Sequence, residues 1–246
     1  MKKQITLIMI LGSCFLMNVS CSSAGDIDKI GDAQECLDKF AREGEGSLDE
    51  CEAKVSGVTS AGAYSIRCAA GYIREGFTAQ GLIDAFAEIE TVSGGNVANF
   101  LQRMTFNGAG NTGAAAVEAN YEKAQTVYGY CAESLGKGVT VLATFSFLVN
   151  AIFNYECNGG VGSCDVTDTT AFSLGMAAAF ADATARGVTL NTDIGTVVVN
   201  TRTVSCSNGT TNETLCGFMD RAVSDAGGTS NKEAVGRAFL NVLANP

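Results

Sequence analysis

The chain of 246 residues contains one proline, and it is the last residue, Pro246. Ordinary chains carry about 5% proline. All-β domains spend it on turns and edge strands, whereas helix interiors exclude it because it lacks an N–H and collides with the preceding turn. A chain of this length without internal proline is expected to be all-α.

Punctuation and periodicity agree. Ser47-Leu48-Asp49-Glu50 and Ser230-Asn231-Lys232-Glu233 have capping-box spacing. Arg74-Glu75-Gly76-Phe77-Thr78, Lys137-Gly138-Val139-Thr140 and Arg186-Gly187-Val188-Thr189 each read as one helix ending and the next beginning. In each, a basic residue faces the negative helix end, Gly takes the left-handed position and Thr caps the following helix. Val117, Ala124 and Cys131 recur every seven residues, as do Tyr121, Tyr128 and Leu135. Leu82, Ile83, Phe86 and Ile89 form a second stripe, and Val97, Phe100, Leu101 and Met104 a third. Val141 to Phe153 is almost wholly apolar, relieved by Ser146, Asn150 and the following Asn154, and predicts a central helix buried nearly all round. The Ala-rich segment 170–185 suits close helix packing. Residues 194–204 are β-branched and fit either a helix, through Ile194, Val197, Val198, Thr201 and Val204, or a short hairpin near 194–205. The expected class is an all-α bundle of about eight helices, with α+β as the alternative if that hairpin forms.

The N-terminus reads as a removable leader. Lys2 and Lys3 precede the apolar run Ile5 to Met17, which is shorter than the roughly 20 residues a membrane-spanning helix needs. Leu11-Gly12-Ser13-Cys14 and Asn18-Val19-Ser20-Cys21 each place a small residue before cysteine. The second has no Leu three places upstream, and it resembles the loose lipobox of spirochaete lipoproteins. The resemblance covers the signal region alone. It implies a bacterial lipoprotein with residues 1–20 as signal peptide, Cys21 carrying the lipid, residues 21–26 as tether and 27–246 as one helical domain. Parity favours Cys21 over Cys14: of ten cysteines, Cys14 then leaves with the leader and an even eight remain. No later apolar run approaches membrane-spanning length, so the expectation is a protein held to a membrane by two or more acyl chains. Ser22 fits outer-membrane sorting, as in other lipoproteins of diderm bacteria.

An exported chain with eight cysteines calls for disulfides. Cys36 and Cys51 sit on two predicted helices joined near Gly44 to Ser47. Cys157 and Cys164 flank a Gly-rich loop, and Cys206 and Cys216 flank a polar one. Cys68 and Cys131 remain, each on an apolar stripe. Eight cysteines allow many other connectivities, so this is one pairing among them.

The chemistry-bearing motifs are sparse. With no His there is no Ser-His-Asp triad, Cys-His dyad or His-ligated metal. With no C-x-x-C either, no metal or cofactor is expected. A net charge of −10 argues against nucleic acid, which needs a basic face. Gly108-Ala109-Gly110-Asn111-Thr112-Gly113 matches G-x-G-x-x-G, but the segment before it has helical spacing where a dinucleotide site needs a strand. Ser134-Leu135-Gly136-Lys137 matches the S-x-x-K of penicillin-binding proteins and serine β-lactamases, in which Lys activates Ser without His. In that family the Ser opens a helix; here it is expected to close one. Asp26, Asp28 and Gly31 faintly follow a calcium loop that lacks its later ligands. Asp165 and Asp168 read as helix N-capping residues, and the sequons at Asn208 and Asn212 as loop composition.

The functional expectation is a non-catalytic surface or periplasmic lipoprotein that binds a protein partner. The first alternative is a carrier of a small apolar ligand in a closed cavity, with Ser146 and Asn150 as its interior polar groups. The second is a hydrolase that works without His, using carboxylates or the Ser134/Lys137 pair.

Overall fold

The computed structural model describes residues 24–77, 103–134, 136–158, 164–165, 187–206 and 213–244. These residues form eight α-helices: α1 Ala24–Glu43, α2 Leu48–Lys54, α3 Ala61–Arg74, α4 Ala114–Glu133, α5 Lys137–Asn158, α6 Gly187–Thr201, α7 Glu213–Asp225 and α8 Lys232–Ala244, with a π-helical turn Arg202–Cys206 after α6. No strand occurs among the described residues, whose one β feature is an isolated bridge between Thr112 and Asp165. The class is all-α, and the hairpin alternative falls: Ile194, Val197, Val198 and Thr201 are buried along one face of α6. The leader, Cys21, the stripe over 82–89, Val97, Phe100 and Leu101, and the Ala-rich segment lie outside the described residues.

Two hydrophobic clusters organise the molecule. The smaller joins α1, α2 and α3 through Ala33, Leu37, Leu48, Cys51, Val55, Val58 and Ile66. The larger is built around α5, which is buried on every side from Thr140 to Phe153. By length and composition α5 has the makings of a membrane span, and this corrects the expectation that no later segment reaches that length. Between Thr140 and Phe153 its polar side chains bond within the protein instead. The Tyr72 hydroxyl donates to Ser146 Oγ at 3.2 Å, Asn150 Nδ2 donates to the Ser146 carbonyl at 2.7 Å, and Thr144 bonds Thr201 across to α6. Helix α3 serves both clusters, turning Ile66 and Ala70 to one and Cys68 and Tyr72 to the other.

Four disulfides join Cys36 to Cys51, Cys68 to Cys131, Cys157 to Cys164 and Cys206 to Cys216. The first closes the α1–α2 hairpin, and the second ties α3 to α4. The 157–164 bridge holds the end of α5 to the segment that meets the start of α4, where Gly113 N–H donates to the Cys164 carbonyl at 3.0 Å.

Helix ends follow the punctuation in part. Ser47 caps α2 by accepting from Glu50 N–H at 3.2 Å. At the end of α3, Gly76 has φ +82°, and Gly76 and Phe77 N–H donate to the Ile73 and Tyr72 carbonyls, both at 3.0 Å. That is the Schellman pattern, and Phe77 packs back on Tyr72 as such a stop requires. Three readings are displaced. Gly138 and Thr140 lie inside α5, because the break falls at Ser134–Gly136 and Thr140 turns its hydroxyl back to the Cys131 and Gly136 carbonyls. Gly187 opens α6, so Thr189 is within that helix and not its cap, while the helix end expected at Arg186 lies outside the described residues. The cap of α8 is Asn231, whose Oδ1 accepts from Ala234 N–H at 3.1 Å, so Ser230 sits one residue too early.

Glycine also sets one helix crossing. Gly195 of α6 and Gly236 of α8 meet backbone to backbone. A Cβ on Gly195 would lie 2.7 Å from the Lys232 carbonyl carbon, and one on Gly236 would lie 2.8 Å from that of Asn191. No other residue fits either position without separating the helices.

Candidate functional site

Several sequence motifs are absorbed by structure. Asp26, Asp28 and Gly31 lie within α1, so they form no calcium loop. Asp165 stands in the bridge to Thr112, and Asp168 and both sequon asparagines, Asn208 and Asn212, lie outside the described residues. The glycine-rich segment 108–113 is a loop ahead of α4, and the protein itself occupies its backbone donors. The Glu75 carboxylate, beyond the end of α3, accepts from Asn107 N–H at 3.0 Å and Gly108 N–H at 2.6 Å, and pairs with Lys123 Nζ at 3.3 Å. Asn120 accepts from Ala109 N–H at 3.0 Å and donates to the Gly110 carbonyl at 2.9 Å. A phosphate cradle needs those N–H groups free and aimed at an anion. Here an internal carboxylate takes the anion's place.

Ser134 and Lys137 fall on opposite sides of a helix break. Ser134 ends α4 and Lys137 opens α5, so they are not a helical turn apart on one helix as acylating enzymes arrange them. The Ser134 hydroxyl donates to the Cys131 carbonyl at 2.6 Å and accepts from Gly136 N–H at 3.2 Å. Those are the bonds of a C-terminal cap. Among the described residues, no group of three or more Cys, Asp or Glu is placed to hold a metal ion.

The structure instead brings together an apolar groove of about 600 Å³ that no motif announces. It runs along the seam between the two hydrophobic clusters. One wall comes from the last turns of α1, through Phe40 and Ala41; the floor is α3, through Ser65, Cys68, Ala69, Tyr72 and Ile73; the far wall is Ser134, Gly136, Val139 and Leu142 at the α4–α5 junction. Gly76 and Phe77 close one end. Tyr72, Phe77 and Phe106 form an aromatic brace there, with ring centroids 5.2 to 5.8 Å apart and Tyr72 edge-on to both partners. Among the described helices the α1–α2 hairpin packs chiefly on α3, and the groove lies between the end of α1 and the start of α5.

None of the described lining residues is charged, and their hydroxyls are already engaged. Ser65 donates to the Ala61 carbonyl, Ser134 caps α4, and Tyr72 reaches Ser146. Burial holds the Tyr72 phenol well above its usual pKa, with the Ser146 bond a smaller opposing effect, so it stays neutral. What remains is shape and apolar surface, including Val139, which is 40% exposed on the rim. The volume lies within the ~300–1,000 Å³ of small-molecule sites. Compared with protein-family models, curated proteins and solved structures, the chain finds no match in any of the three. Its function therefore rests on this groove and on the character of the sequence.

The closed cavity expected of a carrier is replaced by an open groove, and its polar groups are differently placed. Ser146 stands behind Tyr72 and Asn150 is spent on the α5 backbone. The groove residues escaped the sequence reading because they come from three distant segments. The one local signal was Phe40, an aromatic residue within a strongly charged helix.

Proposed function

We propose that this protein is an exported, lipid-anchored envelope protein that binds an apolar guest in the groove between α1, α3 and the α4–α5 junction. The groove carries this reading: about 600 Å³ of space whose described lining residues are uncharged, on a protein whose main core is built around α5. Four disulfides suit a compartment that oxidises thiols. In this reading Cys21 carries the anchor, residues 21–26 form the tether, and the outer membrane of a diderm bacterium is the site of action. The mature chain then has a net charge of −12, since Lys2 and Lys3 leave while all 26 acids stay.

The groove is tested by solvent extraction of the purified full-length mature protein, followed by mass spectrometry of what is released. An apolar molecule is expected at near one per chain, and Ala69→Trp, at an exposed position on the groove floor, should abolish it. A protein that releases nothing and takes up no long-chain alcohol would refute the reading. The anchor has its own test. Cys21→Ala should move the protein from the detergent phase to the aqueous phase, and an unchanged partition would refute lipidation at that residue.

A second reading is a protein partner at the same groove. It is favoured by the open mouth and by the exposed Val139 on its rim. A photo-crosslinker at Val139 that captures one defined envelope or host protein would support it over a small guest.

A further inference from the structure

Cys21 and the Phe40 wall of the groove lie toward opposite ends of α1. The helix begins at Ala24, inside the span read as tether, so Ser22 and Ser23 alone separate it from Cys21. Three peptide links reach at most about 11 Å, at roughly 3.6 Å each. A lipid on Cys21 therefore keeps the first turn of α1 beside the head groups. That turn presents Ile27, which is 60% exposed; among the described residues, the exposed large apolar side chains are Ile27 and Val139 on the groove rim. Helix α3 runs alongside α1 in the same direction. Ile30 lies against Gly62 at the start of α3, its Cδ1 3.0 Å from where a Cβ on Gly62 would stand, whereas Phe40 and Ala41 share the groove with Tyr72 and Ile73 near the end of α3. At 1.5 Å per residue, Phe40 stands about 20 Å beyond Ile27 along α1.

Charge decides how such a body stands on lipid. The turn that leads into Gly62, from Gly57 onward, holds no charged residue. Asp26, Asp28 and Lys29 flank Ile27, a mixture that stays hydrated in a head-group layer while the isoleucine enters it. The flank of α1 beyond them exposes Asp32, Glu35, Asp38 and Glu43 with Lys39 and Arg42. Laying that flank flat would press six charged side chains, four of them acidic, against the lipid and strip part of their hydration. We infer that the protein docks end-on upon its own bilayer, through Ile27 in the first turn of α1, with the Phe40 wall of the groove held about 20 Å farther out. One isoleucine does not bind a bilayer unaided; beside an anchor that keeps it within reach, it needs only to orient the body. This inference rests on lipidation at Cys21, and it adds which surface of the folded body meets the membrane.

The chain has no tryptophan, so a single introduced one reports its own surroundings. Two positions on α1 suit it: Gly31, which is exposed with open space around it, and Glu43, the exposed last residue of the helix. The full-length mature protein is taken from the detergent phase and reconstituted, disulfides intact, into vesicles of phosphatidylethanolamine and phosphatidylglycerol that include a lipid with a nitroxide on its head group. Flotation with the vesicles reads the anchor, and quenching of tryptophan emission reads the docking. Expected is at least about fivefold stronger quenching in Gly31→Trp than in Glu43→Trp, because the two positions lie about 18 Å apart along α1. Adding Ile27→Ser to Gly31→Trp should weaken the quenching while the helical circular dichroism stays that of the parent, since Ile27 is exposed. Equal quenching at both positions would overturn the inference, because the body then lies flat. Floating protein with no quenching at either position would overturn it too and leave the anchor standing. Quenching at residue 31 that is untouched by Ile27→Ser would overturn the role of Ile27. Protein that does not float at all would refute the anchor and the docked end with it.

Discussion

Helix α1 buries Ala33 and Leu37 out of twenty residues, whereas α5 buries every residue from Thr140 to Phe153. The hairpin of α1 and α2 therefore has little apolar area with which to hold itself in place, and it is fixed by other means. The Cys36–Cys51 bridge joins its two helices. Arg67 of α3 donates to the Val55 and Val58 carbonyls at 2.7 and 2.9 Å, closing the turn after α2. Arg74, two turns further along α3, pairs with Asp49 and Glu52 of α2. The bundle shows the reverse economy: α5 depends on burial, and α6 and α8 on a glycine crossing that brings their backbones together. The apolar groove lies between a region held by clasps and a region held by packing, which is where two surfaces fail to interdigitate.

The largest expected effect comes from cutting the staple that ties α3, on which the hairpin rests, to α4. Replacing Cys68 and Cys131 by Ala should cost about 4 kcal/mol by loop-closure entropy, read from denaturant unfolding. An unchanged midpoint would mean that packing alone joins them. Gly195→Ala comes next. Its methyl group would strike the Lys232 carbonyl, so about 3 kcal/mol should be lost and α6 and α8 should loosen while the hairpin stays intact. Arg67→Ala should lose about 2 kcal/mol, because two charge-assisted bonds to main-chain carbonyls go together. That loss should appear as faster proteolysis near residues 55–60, not as a change in α5. Arg74→Ala is the mildest: its side chain is 37% exposed, so less than about 1 kcal/mol is expected, fading as salt is raised. A larger or salt-independent loss would show that the ionic clasp carries more of the hairpin than its exposure allows.

The helical class was legible because it depends on local rules. A missing proline, a seven-residue stripe ending at Cys131 and the Ser47 cap act within a few residues of one another. Three disulfides were legible for the same reason, since a short span brings each pair together; Cys68 and Cys131 were reached by elimination. The misplaced break near Gly138 shows the limit of such rules. A glycine after a lysine marks a helix end only if the chain turns there, and the Ser134 hydroxyl had already ended α4 by bonding the Cys131 carbonyl. The Gly195–Gly236 crossing and the Glu75 latch on Gly108 were not legible, because each pairs residues more than thirty apart with no motif between them. The groove was the least legible feature. Phe40, Ala69 and Val139 are ordinary apolar residues in sequence and become a site through the packing of helices far apart in the chain.

The central claim is that the groove is an apolar receptor along the seam between a clasped hairpin and a packed bundle. Native-state hydrogen exchange on the intact protein, with and without saturating dodecanol, tests it most directly. The account predicts that amides of α1 and α2 open at lower free energy than those of α5. It also predicts that dodecanol slows exchange at the end of α1, along the groove face of α3 and at residues 136–142, leaving α6 and α8 unchanged. Equal protection of α1 and α5, or a ligand effect spread evenly over the chain, would contradict it.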